Sequence, residues 1–363
     1  MTLARGETSP DPRAAAAFPV VRTGVTAVVP HPGNLYRERP RAASFVFNGY
    51  GKSLGLAQLG ELGVLETPIL LTNTLSVFTA ANALVTRALA ENPDIGLTAG
   101  TVNPVVGECS DAYLNDIRGR HVTEADCLEA LRQAAPGPVP EGNVGAGTGM
   151  SCLGFKGGLG TASRTIVFEL PATGRGPRPG EPGARFTLGC LVLANFGRRA
   201  DFRLDGVPVG RDLVAAGWPD APGPPATADE EGPDQLPGGS IMVVLATDAP
   251  LTSRQLTRVS RRAVLGLART GSVGAHGSGD FVLAFSTAGL EPAFPSEPVL
   301  VRYALAEDDR HFGPLFEAAV EATEEAIVNA LFAAETMAGR DGHVREALPI
   351  EEVISILRRH GRG

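Results

Sequence analysis

At Gly238-Gly239-Ser240 a hydroxyl follows a conformationally permissive residue, at the border between two unlike stretches of chain. Upstream, residues 217–239 hold five glycines, six prolines and five acids without Lys or Arg, a composition that builds no core of its own. Downstream, Ser240-Ile241-Met242-Val243-Val244-Leu245-Ala246 reads as a fully buried strand. A serine hydroxyl needs a base to act as a nucleophile. The six histidines (His31, His121, His276, His311, His343, His360) are isolated from one another, and none stands in a ligand spacing. The chain can supply a base itself if cleavage makes the serine a new N-terminus, because an α-amino group titrates at about 7.7 to 8.0. Attack of Ser240 on the Gly239 carbonyl would shift the acyl group from nitrogen to oxygen, and hydrolysis of that ester would leave two chains. The competing reading of residues 217–239 is an inter-domain linker without chemistry.

Other patterns fail on their own requirements. Gly51-Lys52-Ser53 resembles the end of a phosphate-binding loop, but Val46 stands where that motif needs its first glycine. In the cluster from Gly142 to Met150, Gly145 and Gly147 are followed by Met150 at the third position of a dinucleotide fingerprint. The cysteines Cys109, Cys127, Cys152 and Cys190 show no C-x-x-C spacing, so neither a zinc ribbon nor a disulfide framework is indicated. A net charge of -8 without a basic block argues against a nucleic acid or an anionic membrane held by charge. No apolar run approaches the length of a spanning helix. Residues 1–19 lack the apolar core of a secretory signal and read as a disordered tail on a cytoplasmic protein. Lysine occurs only at Lys52 and Lys156, and the two readings of that retention are a place where a planar guanidinium does not fit, and chance.

The elements that must position Ser240 are short. Apolar runs bounded by turn residues predict strands at Ser44–Phe47, Ile69–Thr72, Leu188–Ala194, Ile241–Thr247, Phe281–Ser286 and Val299–Ala304. Helical spacing predicts helices from Thr74 to Ala90, after Pro250 with Thr252 or Ser253 as cap, and from Pro314 to Ala338. The alternation of strands and helices predicts layered α/β packing.

Residues Pro237 to Leu251 resemble the cleavage junction of the self-processing serine aminopeptidases, a family that includes L-aminopeptidase/D-amidase/esterase and the β-peptidyl aminopeptidases. Similar stretches run through Asn48–Ser53, Glu66–Thr74, Pro104–Cys109, Gly145–Met150, Lys156–Thr161, Gly277–Asp280 and Gly339–Gly342, so the resemblance spans about residues 20 to 350. It implies an α/β fold, a four-layer αββα sandwich similar to ornithine acetyltransferase. Residues 20–239 would form the α-chain, with a flexible linker at 217–239, and residues 240–363 the β-chain of the same intertwined domain.

The resemblance also implies site residues. Asn195 matches the oxyanion donor, Glu108 the carboxylate that receives the substrate ammonium with Asp111 as its backup, and Ser278 and Asp280 the pair beside the nucleophile. In β-peptidyl members the last acid is glutamate, and the aspartate here tilts expectation toward L-aminopeptidase or amidase activity. No cofactor or metal is implied. The expected partners are a small peptide or an amino acid amide or ester, with the processed αβ units forming a homotetramer. An acyltransferase similar to ornithine acetyltransferase, and an uncleaved protein without activity, are the alternatives.

Overall fold

In the computed structural model, which describes residues 2–5, 20–168, 185–220 and 239–362, the strands run longer than the apolar runs that announce them. Along the chain come β1 (Thr2–Arg5), β2 (Val21–Gly24), β3 (Thr26–Val28), β4 (Glu38–Gly49), α1 (Leu56–Leu62) and β5 (Ile69–Asn73). There follow α2 (Val77–Glu91), β6 (Val105–Cys109), α3 (Glu124–Gln133), and the two-residue strands β7 (Ser151–Cys152) and β8 (Phe155–Lys156). Then come β9 (Gly158–Val167), β10 (Arg185–Asn195), α4 (Val209–Ala215), β11 (Gly239–Thr247), α5 (Ser253–Arg269) and β12 (Ser278–Pro292). The described chain closes with α6 (Asp309–Phe332), β13 (Met337–Ala338), β14 (Val344–Arg345) and α7 (Ile350–Arg359).

Five strands form one sheet in the order β4-β12-β11-β10-β9, and β3-β5-β6 form a second. Alternation along β11 explains why that strand has no polar face. Ile241, Val243 and Leu245 join a core with α5 and α6, whereas Met242 and Val244 meet Ile69, Leu71 and Val105 between the two sheets. Leu70 and Val106 turn the other way, onto Val77, Leu84 and Leu131 of α2 and α3. Both faces of each central strand are thus covered, the condition that yields continuous apolar runs. The start of α5 follows from its sequence: Thr252 accepts from Gln255 N at 3.2 Å while Gln255 reaches back to the Thr252 backbone, a reciprocal cap. Among the described residues no helix is long and apolar enough to cross a membrane.

Four expectations are corrected. Thr2–Arg5 is not a disordered tail but a strand antiparallel to Val21–Gly24, held also by Thr2 Oγ1, which accepts from Gly145 N at 2.8 Å; residues 6–19 lie outside the described residues. The linker does not span all of 217–239: Trp218 packs 6.1 Å from Phe155, and Gly239 already belongs to β11, while 221–238 lie outside the described residues. Val299–Ala304 forms no strand, because no sheet edge receives it. The Tyr303 carbonyl accepts from Arg41 instead, and Val299 and Val301 stand 77% and 84% exposed. The long helix also shifts, running Asp309–Phe332 from an Asp308 cap rather than Pro314 to Ala338.

Candidate active site

The first residues of β11 lie between two strands that carry most of the candidate side chains. Ser240 pairs with Asn195 of β10 on one side and with Gly279 of β12 on the other, and Gly239 stands beside Ser278. The Gly239–Ser240 bond is therefore inside the sheet. Gly239 has φ 153°, and a Cβ there would approach Phe196 Cα to 2.9 Å and Asn195 O to 3.0 Å, so no larger residue fits without displacement. The Ser240 hydroxyl donates to the Gly239 carbonyl at 2.5 Å. A Cβ on Gly279 would lie 3.1 Å from Ser240 Oγ, so glycine there leaves the hydroxyl its room.

Asn195 ends β10 and is buried. Its Oδ1 accepts from Ser151 N at 2.8 Å and its Nδ2 donates to Ser110 O at 2.9 Å. Those two bonds fix the amide's orientation and leave one N–H of Nδ2 unspent. The Ser151 donor sits on the β7–β8 hairpin, which Lys156 pins from beneath by donating Nζ to Gly147 O at 3.0 Å and Gly157 O at 2.6 Å. Lys156 is fully buried, and burial lowers its pKa to about 7. A compact ammonium thus meets both carbonyls in a fully buried space. Lys52 is exposed, and lack of room does not explain it.

Glu108, on β6, is only 1% exposed. Its Oε1 accepts from Lys52 N at 2.7 Å and its Oε2 from the Thr74 hydroxyl. Thr74 opens a short turn capped by Asn73, whose Oδ1 accepts from Ser76 N at 3.0 Å. A carboxylate held by two donors keeps lone pairs for a third, and the space before it is a cavity of about 220 Å³. Glu108, Thr74, Lys52, Asn195, Gly239 and Ser240 all line that cavity.

Ser278 and Asp280 form a buried pair in β12, with Ser278 Oγ donating to Asp280 Oδ1 at 2.6 Å. They flank the Gly239–Ser240 peptide from the neighbouring strand rather than lining the cavity. Burial raises Asp280 to about 6, opposed by the Ser278 hydrogen bond. Asp111 does not join the site: it is fully buried, bonds Asn115 at 3.0 Å, and is raised by burial to about 7.

Four contributors were not visible in the sequence as such. Thr74, the Lys52 amide and the Ser151 amide act through backbone placement or a neighbouring strand. Asn48 sits opposite Asp280, beside a register shift, and its Nδ2 faces the carbonyls of Ala275, His276 and Ser278 at 2.8, 3.0 and 2.5 Å. It holds the turn that delivers the pair. Ser53, in a Gly51-Lys52-Ser53-Leu54-Gly55 stretch that spells a nucleophile-elbow pattern, donates its hydroxyl to Met242 Sδ at 3.5 Å and is not part of the cavity wall.

Comparison with known proteins accords with this geometry. The model of peptidase family S58 matches residues 6–345. The chain is 41% identical over 343 residues to β-peptidyl aminopeptidase BapA of Sphingosinicella microcystinivorans, covering 94% of this chain and 81% of that protein. A crystal structure of a Pyrococcus horikoshii OT3 protein superposes with a TM-score of 0.86 at 49% identity, over 100% of this chain and 91% of that one. The L-aminopeptidase D-Ala-esterase/amidase of Ochrobactrum anthropi, described as a variant of the Ntn hydrolase fold, is similar at a TM-score of 0.82 and 36% identity, over 99% and 91% of the two chains. The chain thus belongs to peptidase family S58 and is an aminopeptidase, a hydrolase of peptide and amide bonds.

Proposed function

We propose that the chain cleaves itself between Gly239 and Ser240 and then uses Ser240 as an N-terminal nucleophile to release the first residue of small peptides, amides or esters. One observation carries this reading: the Ser240 hydroxyl lies 2.5 Å from the carbonyl of the residue before it, in a cavity that also contains the buried Glu108. Asn195 offers its free N–H to the oxyanion of each tetrahedral intermediate. After cleavage the new α-amino group takes the Ser240 proton, and Ser278 and Asp280 beside it orient that group. Acyl transfer to Ser240 releases the leaving amine, and water then hydrolyses the ester. In the same reading the two sheets, with α5 and α6 on one side and α2 and α3 on the other, are the layers of an αββα sandwich. Membership in a peptidase family, with similarity to a β-peptidyl aminopeptidase and to an L-aminopeptidase, favours this reading over an acyltransferase or an inactive protein.

Glu108 supplies the amino-end selectivity. A buried carboxylate with two fixed donors is compensated further by a substrate ammonium, and an acetylated amine brings no charge to it. Wild type should hydrolyse an aminoacyl anilide and leave its N-acetyl form untouched. Glu108→Gln should narrow that preference at least about tenfold, as expected for a charge-assisted bond. A preference kept in full by Glu108→Gln would remove the assignment, and no release of aniline by wild type would remove the aminopeptidase site itself.

The two steps should differ in their dependence on pH. Before cleavage Ser240 has no α-amino group, so the Asp280 carboxylate is the base beside the bond. Its pKa, raised by burial to about 6, means that it is ionised above that pH and protonated below. Precursor refolded from denaturant should therefore cut more slowly as pH falls through about 6. Turnover by the processed enzyme should need pH nearer the α-amino range of about 7.7 to 8.0. Gel densitometry of refolding time courses reads the first step, and a cleavage rate that is flat from about pH 5 to 8 would refute the role of Asp280.

A further inference from the structure

Among the described residues that line the cavity, only Glu108 and Lys52 carry charge, and the signs are opposite. The two are neighbours, since the Lys52 amide holds Glu108 Oε1 at 2.7 Å. Their charged ends are nevertheless not paired. Among the described residues the Lys52 ammonium meets no carboxylate, and it lies 4.7 Å from the centre of the Tyr50 ring. Glu108 is buried and Lys52 exposed, so the cavity has a negative interior and a positive mouth.

We propose that Lys52 binds a carboxylate of the substrate, so that the site is built for short zwitterionic peptides rather than for neutral amides. This rests on the aminopeptidase reading above, in which the ammonium goes to Glu108. A substrate carboxylate held in so small a cavity would be repelled by Glu108 unless a cation lay closer to it. Lys52 is that cation. Its four-carbon stem lets the ammonium leave the Tyr50 face and follow ligands of different length, which a rigid guanidinium fork does less well. The aromatic ring holds the empty cation at the mouth and reduces the entropy lost on binding. Two carboxylates have this chemistry: the C-terminus of the departing residue, and an acidic side chain on the residue that acylates Ser240. The retained lysine in a chain otherwise rich in arginine then has a reason other than space.

The test compares kcat/KM for Ala-Ala, Ala-Ala amide and Asp-Ala amide in wild type, Lys52→Met and Lys52→Arg. Lys52 contributes only its side chain here, and every variant keeps the backbone donor to Glu108. Wild type should favour one carboxylate-bearing peptide over Ala-Ala amide by about three- to tenfold at low salt, with a smaller margin at about 0.5 M salt. A preference for Ala-Ala assigns the leaving residue's terminus, and one for Asp-Ala amide assigns the acyl side chain. Lys52→Met should erase that preference, and Lys52→Arg should restore part of it. No carboxylate preference in wild type, or an equal loss on all three peptides in Lys52→Met, overturns the proposal while leaving the aminopeptidase reading intact. If wild type cleaves none of the peptides, that reading falls instead. Calorimetric binding of the same peptides then decides Lys52, with a preference lost in Lys52→Met supporting the pairing and an unchanged one refuting it.

Discussion

Ser240→Ala should remain one uncut chain of 37.6 kDa with no measurable aminopeptidase turnover. The substitution removes a single oxygen, the one that donates to the Gly239 carbonyl, and leaves Asn195, Glu108 and the β10–β11–β12 pairing in place. Thermal unfolding and far-UV circular dichroism should match those of the unprocessed wild type, so the loss is chemical. The scissile bond lies within β11, with Gly239 already in register with Ser278, so packing has to precede cutting. Cleavage should therefore follow first-order kinetics at a rate independent of protein concentration. Intact mass should give two species for wild type, the smaller beginning at Ser240, and one for the variant. An uncut Ser240→Ala chain with wild-type turnover would end both the processing and the nucleophile assignments, and a variant that still cuts would end the first.

How far the site was legible in the sequence depended on whether chemistry was carried by a side-chain type or by a backbone meeting. Ser240 could be read because two local signals changed at one point: a proline- and acid-rich stretch gave way to an apolar run, with glycine between. Ser278 and Asp280 could be placed on one side of a strand by their spacing, and they are bonded to each other. The buried runs of β5, β10 and β11 were visible because both of their faces are covered. Nothing local announced β9, where Gly158-Leu159-Gly160 is glycine-rich because Gly160 passes under the Ala326 carbonyl of α6, leaving no room for a side chain. The Val299–Ala304 run misled for the opposite reason, since apolar alternation describes a strand only where a partner edge exists. Asp111 and Glu108 looked alike in sequence. What separates them is that Glu108 meets the cavity and Asp111 is enclosed by Asn115 and its neighbours, a tertiary fact.

Asn195→Ala should lower kcat by about 100- to 1000-fold with a smaller change in KM, because the amide acts on charge that exists only in the tetrahedral intermediates. Self-cleavage passes through the same kind of intermediate and should slow by a similar factor, so turnover has to be measured on material aged until cut. Alanine also does structural harm: it strips Ser151 N of its acceptor, which costs about 1 to 3 kcal/mol for a buried amide. Asn195→Asp separates the two effects. Its carboxylate still accepts from Ser151 N, but its second oxygen faces the Ser110 carbonyl that Nδ2 served, and it brings negative charge where the oxyanion forms and offers no donor to it. The aspartate variant, which keeps the acceptor for Ser151 N and has no oxyanion donor, should thus be no more active than the alanine one. If it kept kcat within about threefold of wild type, Asn195 would be a hinge pin for the β7–β8 hairpin and no part of the oxyanion site.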